Sequence, residues 1–137
     1  MATGQALSNF EHEKYLNLET YRRTGVGVRT PVWFAAAPPV APGAGIAKLY
    51  IYAIADSGKV KRVRRNGAAR IAPCDARGTV TGAWIDAAVE VVDREEFKVG
   101  MRLLDRKYFP WKQLLKLGAM LSRRERVVLA ISATANG

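Results

Sequence analysis

The residues Leu49-Tyr50-Ile51-Tyr52-Ala53-Ile54-Ala55 form a near-continuous apolar run. They lead through Asp56 into Ser57-Gly58-Lys59-Val60-Lys61-Arg62-Val63-Arg64-Arg65-Asn66-Gly67. The run reads as a strand buried on both faces, so the rest of the chain must supply a layer on each side of it. Asp56 or Ser57 suits an N-cap and Asn66-Gly67 a stop, which makes the basic stretch a short helix. Val60 and Val63, three apart, face inward, and Lys61, Arg62, Arg64 and Arg65 splay over the remaining surface. The first turn of a helix has N–H groups without carbonyl partners, and the helix dipole adds partial positive charge there. With Ser57, Lys59 and Lys61 alongside, the strand-to-helix turn is built to hold a phosphate. The residues leave its owner open between a cofactor, a nucleic acid and plain solvent.

The 137 residues, 49% of them hydrophobic, suit one domain with one core, with residues 1–12 expected to form a flexible amino end. A formal charge of +10 points to anionic partners without choosing among them. The single Cys74 rules out an internal disulfide and suits a reducing cytoplasm. No basic segment followed by an apolar core opens the chain, so no signal peptide is expected. The longest apolar stretch, Val32 to Ala47, contains Pro38, Pro39, Pro42, Gly43 and Gly45 and cannot be a spanning helix.

Around the central strand, period-two patterning predicts others. Tyr15 to Tyr21 places Leu16, Leu18 and Thr20 on one face and Tyr15, Asn17, Glu19 and Tyr21 on the other. A turn at Arg22-Arg23-Thr24-Gly25 leads to a strand with Val26, Val28, Thr30, Val32 and Phe34 on one face. Its other face carries Gly27, Arg29, Pro31 and Trp33. Pro31 cannot donate to a ladder, so this strand belongs at an edge or is bulged. Ala35 to Ala47 reads as a long hairpin loop. Ala69 to Pro73 and Gly82 to Val92 are two further strands joined by a turn at Asp75-Ala76-Arg77-Gly78. Asp93-Arg94-Glu95-Glu96 has capping-box form, and Phe97, Met101, Leu104 and Tyr108 follow at helical spacing. Pro110 starts a further helical face through Trp111, Leu114, Leu115, Gly118 and Leu121. Arg126 to Ser132 is a last strand. The order predicts an α+β, mainly β chain, an antiparallel barrel with short helices packed outside.

Few residues can carry chemistry alone. His12 is the only histidine and no ligand cluster surrounds Cys74, so neither a metal site nor Ser–His or Cys–His catalysis is expected. Asp86 and Glu90 read as surface or ion-paired carboxylates. Neither a GxGxxG motif nor a P-loop is present. If the chain is an enzyme, a cofactor carries the reaction. A nucleic-acid module is disfavoured because no aromatic stacking platform accompanies the basic run.

Three segments in order resemble the pyridoxamine-phosphate-oxidase-like split β-barrel superfamily, and within it the deazaflavin-dependent oxidoreductases. They are Lys14 to Gly25, Val28-Arg29-Thr30-Pro31-Val32-Trp33-Phe34, and Ser57 to Asn66; a weaker fourth runs from Ile71 to Gly78 and on to Trp84. The resemblance covers residues 14 to 92 well and the helical C-terminus loosely. It implies a homodimer of split barrels with a flavin or deazaflavin in each of two clefts at the subunit interface. By position, Arg29, Thr30, Pro31, Val32 and Trp33 would line the ring and its ribityl chain. Ser57, Lys59 and Lys61 would bind the phosphate, and Trp84 would approach the cofactor or the interface. The implied cofactor is coenzyme F420, with FMN the alternative. The implied activity is hydride transfer from the reduced ring to a small unsaturated acceptor. No residue stands out as catalytic.

Overall fold

The computed structural model describes residues 3–108 and 125–134. Seven strands form one antiparallel sheet: β1 (Tyr15–Tyr21), β2 (Gly27–Trp33), β3 (Ala35–Ala36), β4 (Leu49–Ile54), β5 (Ala68–Cys74), β6 (Ile85–Val91) and β7 (Arg126–Ala133). Helices α1 (Thr3–Ser8), α2 (Gly58–Arg65) and α3 (Arg94–Tyr108) flank it. The order across the sheet is β2-β1-β5-β6-β7-β4-β3. Its two edge strands, β2 and β3, are separated in the chain by Phe34 alone. A sheet whose opposite edges are joined by one residue must curl until they meet. The result is a half-barrel, pinned shut at Phe34 and split between β2 and β4.

Inside the curl, Leu16 and Leu18 of β1, Leu49 and Ile51 of β4, Ile71 of β5 and Leu129 and Ile131 of β7 make the main core with Phe34. Val60 and Val63 of α2 join it, as their spacing predicts. Burying each such side chain contributes about 1.5–3 kcal/mol. α3 covers the outer face of β4 and β7, with Met101 and Phe97 against Tyr50, Val128 and Ala130, while Leu104 and Tyr108 cluster with Ala35 of β3. Gly100 permits that approach, because a Cβ there would lie 2.8 Å from Val128 Cγ1 and 3.2 Å from Tyr50 Cδ1.

The strand carrying Pro31 is an edge strand, pairing only with β1 and with Pro31 opposite Asn17. The segment after it does form a hairpin, but two residues of it, Ala35 and Ala36, pair with Tyr50 and Leu49 as β3. Two local expectations need correcting. The amino end is not free, since α1 and the turn after it bury Leu7 and Phe10 in the core, with Phe10 edge-on to Phe34 at 6.1 Å. The capping box is half made: Asp93 Oδ1 accepts from the Glu96 N–H at 2.9 Å. Glu96 itself accepts from Lys48 Nζ and Tyr50 Oη, both at 2.7 Å, tying α3 to β4. Asn17 and Glu19, on the face of β1 opposite Leu16 and Leu18, are buried as well, at 6% and 5% exposed. The apolar face from Pro110 to Leu121 lies outside the described residues.

Candidate functional site

The split between β2 and β4 is a cleft of about 260 Å³ lined by Val32, Trp33, Tyr52, Ala53, Ile54 and Lys59. β2 contributes an apolar wall, β4 the opposite one, and α2 begins at the end of β4. Ser57 caps α2 with extended backbone (φ −70°, ψ 159°), and the first bond of the helix runs from Lys61 N–H to the Ser57 carbonyl at 3.1 Å. The N–H groups of Gly58, Lys59 and Val60 therefore have no carbonyl partner within the helix. Ser57 Oγ is buried and bonded to nothing, neither capping the helix nor reaching another polar group. A buried hydroxyl left unmade costs about 1–3 kcal/mol. Burial, and then the nearby Arg62 guanidinium, push the Lys59 ammonium below the ordinary lysine value. Among the described residues Lys59 has no carboxylate partner. The turn thus gathers an unpaired cation, an orphaned hydroxyl and free N–H groups, a donor set with no acceptor.

The rest of the basic run divides by role. Arg62 is not a solvated charge: its Nε donates to Thr20 Oγ1 at 2.7 Å, anchoring α2 to β1. Arg65 Nη2 donates to the Tyr21 carbonyl at 3.1 Å. Lys61 and Arg64 stay exposed on the helix.

β2 distributes the other expected residues by alternation. Thr30 shares the face of Val32, and Arg29 and Pro31 share that of Trp33. Pro31 lies over the turn at Gly78. Arg29 takes part in a second constellation. In register across three strands stand Arg29, Glu19 and Arg70. Glu19 Oε2 accepts from Arg29 Nε at 2.8 Å, and Oε1 from Arg70 Nε and Tyr21 Oη, both at 2.9 Å. Trp84 lies under both guanidiniums, with Arg29 Cζ 4.6 Å and Arg70 Cζ 5.2 Å from its ring centroid. Burial pushes the Glu19 carboxyl up, but the bonds from Arg70, Arg29 and Tyr21 outweigh it and hold the pKa at about 2. Gly27 makes room, since a Cβ there would lie 2.8 Å from Glu19 Cδ. Val32, Trp33, Lys59 and the α2 start are thus brought together, whereas Arg29 and Trp84 lie apart from them in the Glu19 cluster.

A third feature, at the pinned corner, escaped sequence reasoning. Trp33 stacks on Tyr108 (centroids 4.9 Å apart, 12° between planes). The Tyr108 hydroxyl accepts from Phe34 N–H at 3.0 Å and faces the carbonyls of Phe34 and Lys14 at 2.6 and 2.7 Å. Tyr108 reads from sequence only as one more apolar helix position. Among the described residues no group of three or more His, Cys, Asp or Glu side chains could hold a metal ion. No helix there is long and apolar enough to cross a membrane.

No protein-family model matches the chain, and no curated protein does so significantly. Solved structures do. An F420 reductase is 17% identical at a TM-score of 0.57, over 94% of this chain and 93% of that one. A member of the pyridoxinephosphate oxidase family from Clostridium acetobutylicum is 14% identical at a TM-score of 0.62, over 94% and 81%. A FAD-binding protein from Mesorhizobium loti is 12% identical at a TM-score of 0.59, over 94% and 85%. The fold is the pyridoxamine-phosphate-oxidase-like split β-barrel.

Proposed function

We propose that the chain is an oxidoreductase that binds a phosphate-bearing flavin-type cofactor in the split of the barrel. The observation that carries this reading is the donor set at the start of α2, where, among the described residues, the buried Ser57 hydroxyl has no partner and Lys59 no counter-ion. A phosphate there would accept from Ser57 Oγ, the first-turn N–H groups and Lys59, matching one anion to several fixed donors. Val32, Trp33, Tyr52 and Ile54 offer apolar walls to a ring, with Thr30 next along the Val32 face. When bound, the cofactor supplies hydride chemistry; the chain orients the ring and shields one side of it from water.

Coenzyme F420 is the cofactor we assign, with FMN the competing one. Lys61 and Arg64 remain exposed beyond the phosphate turn of a +10 chain, available to a longer anionic tail. A volume of 260 Å³ falls below the about 300–1,000 Å³ of ligand pockets. We therefore assign the missing wall to a second copy of the chain, making a homodimer with a cleft at each interface.

The test is to titrate F420 and FMN separately into cofactor-free protein and follow fluorescence. One of them should bind below about 100 μM, or about −5.5 kcal/mol. Ser57→Ala and Lys59→Ala should each weaken it by about 1–3 kcal/mol, the worth of a charge-assisted contact. Failure of both cofactors to bind, or unchanged affinity in both variants, overturns the assignment.

A further inference from the structure

Trp33 belongs to two cavities. Besides the cleft, it lines a larger chamber of about 560 Å³ between the segment preceding β1 and the end of α3, where Glu13, Tyr15, Lys107 and Tyr108 also contribute. That volume falls within the about 300–1,000 Å³ usual for small-molecule sites. Its aromatic lining is fixed. Tyr108 is locked by the corner carbonyls and stacks on Trp33, and Tyr15 lies 6.3 Å from the Trp33 centroid at 53°.

The half-buried cation of the chamber is Lys107, with the Glu13 charge near it and no carboxylate in direct contact among the described residues. Lys107 Nζ donates to the Glu13 carbonyl at 2.6 Å and sits 3.7 Å from the Phe34 ring centroid. Among the described residues it has no ion-pair partner. An ammonium has three donors, and the carbonyl occupies one. Exposed Glu11, His12 and Lys14 stand at the rim, where Glu11 and His12 approach each other at 3.6 Å.

We propose that this chamber binds a small planar aromatic carboxylate, with the carboxylate on Lys107 and the ring against Tyr15 and the edge of Trp33. The chemistry follows from the lining: a desolvated ammonium with spare donors selects an anion, and rigid aromatic walls select a flat apolar body. The chamber is separate from the cleft, so binding there does not rest on the oxidoreductase reading.

The probes are trans-cinnamate and neutral trans-cinnamamide, titrated calorimetrically into cofactor-free protein. Cinnamate should bind at least about tenfold tighter than the amide, because only the acid pairs with Lys107. Lys107→Met should abolish that preference and leave amide binding intact, and Lys107→Arg should retain part of it. Burial holds the Lys107 pKa at about 8, the nearby Glu13 opposing that fall. A bound anion would raise it, so cinnamate binding at pH 8 should be accompanied by proton uptake at Lys107 in the unsubstituted protein, read from buffers of different ionisation enthalpy. This decides the matter even if Lys107→Met fails to fold. No cinnamate binding up to about 10 mM, equal affinity for acid and amide, or no proton uptake overturns the proposal. Binding of F420 or FMN at the α2 start is measured separately, so either site can fail alone.

Discussion

Glu19 shows how a single residue can tie three strands together. Its carboxylate is 7% exposed and receives two guanidiniums and a phenol, whereas its partners Arg29 and Arg70 are 54% and 38% exposed. Isolated surface ion pairs contribute about 0–1 kcal/mol, but removing a buried charge that organises several donors costs more. Glu19→Gln should lower stability by about 1–3 kcal/mol, read as a shift in the urea midpoint. The folded carboxyl lies at about 2 against an ordinary 4.5, so its contribution is present in full above the ordinary value. It is lost as pH falls from about 4.5 through about 2, because the unfolded chain binds the proton first. Wild type should therefore lose stability over that window more steeply than Glu19→Gln; parallel pH profiles would sink the account. Nothing local in the sequence flags this residue. Alternation puts Glu19 on the outer face, where a carboxylate is ordinary, and only the register with Arg29 and Arg70 buries it.

At the scale of elements, β1, β4, α2 and the edge position of β2 were legible because each rests on local chemistry. Alternating residues, a glycine turn, two valines three apart and a proline that cannot donate are all read from neighbours in sequence. The strand-to-helix turn at Ser57 was legible for the same reason. What was hidden is the closure, since nothing local says that Phe34 joins opposite edges of one sheet. The same closure brings Val32 and Trp33 opposite Tyr52 and Lys59; Val32, Trp33 and Lys59 were expected at such a site, whereas the wall of Tyr52, Ala53 and Ile54 was hidden with the closure. Tyr108 holds this corner from α3. One hydroxyl serves the Phe34 N–H and the carbonyls of Phe34 and Lys14, donating to one carbonyl at a time. Tyr108→Phe keeps the ring stack on Trp33 and removes only that hydroxyl, leaving a buried N–H unpaired. We expect a loss of about 1–3 kcal/mol in a thermal melt, with amide exchange at Phe34 accelerated well beyond that in β5. A uniform acceleration would mean that the hydroxyl does not hold the corner.

For the whole molecule, the two outer faces of the curled sheet differ. α3 covers β4 and β7, whereas among the described residues no helix covers β2, β1 and β5 outside. That second face presents Trp84 between Arg29 and Arg70, a residue set typical of interface anchors. It shares β2 with the cleft, so a second copy seated there would lie beside the cofactor and supply its missing wall. Trp84 and Arg29 would then act on the cofactor through the interface. Sedimentation should give twice the mass of one chain, and Trp84→Ala should shift the protein toward monomer and weaken cofactor binding together. Two copies of charge +10 repel, and salt shortens the reach of that repulsion to about 8 Å at 0.15 M. Dimerisation should therefore strengthen with added salt, as an apolar and cation–π contact between like-charged chains does, and strengthen again when an anionic cofactor lowers the charge of each copy. A monomer that binds cofactor at full affinity would show instead that the split in one barrel is sufficient.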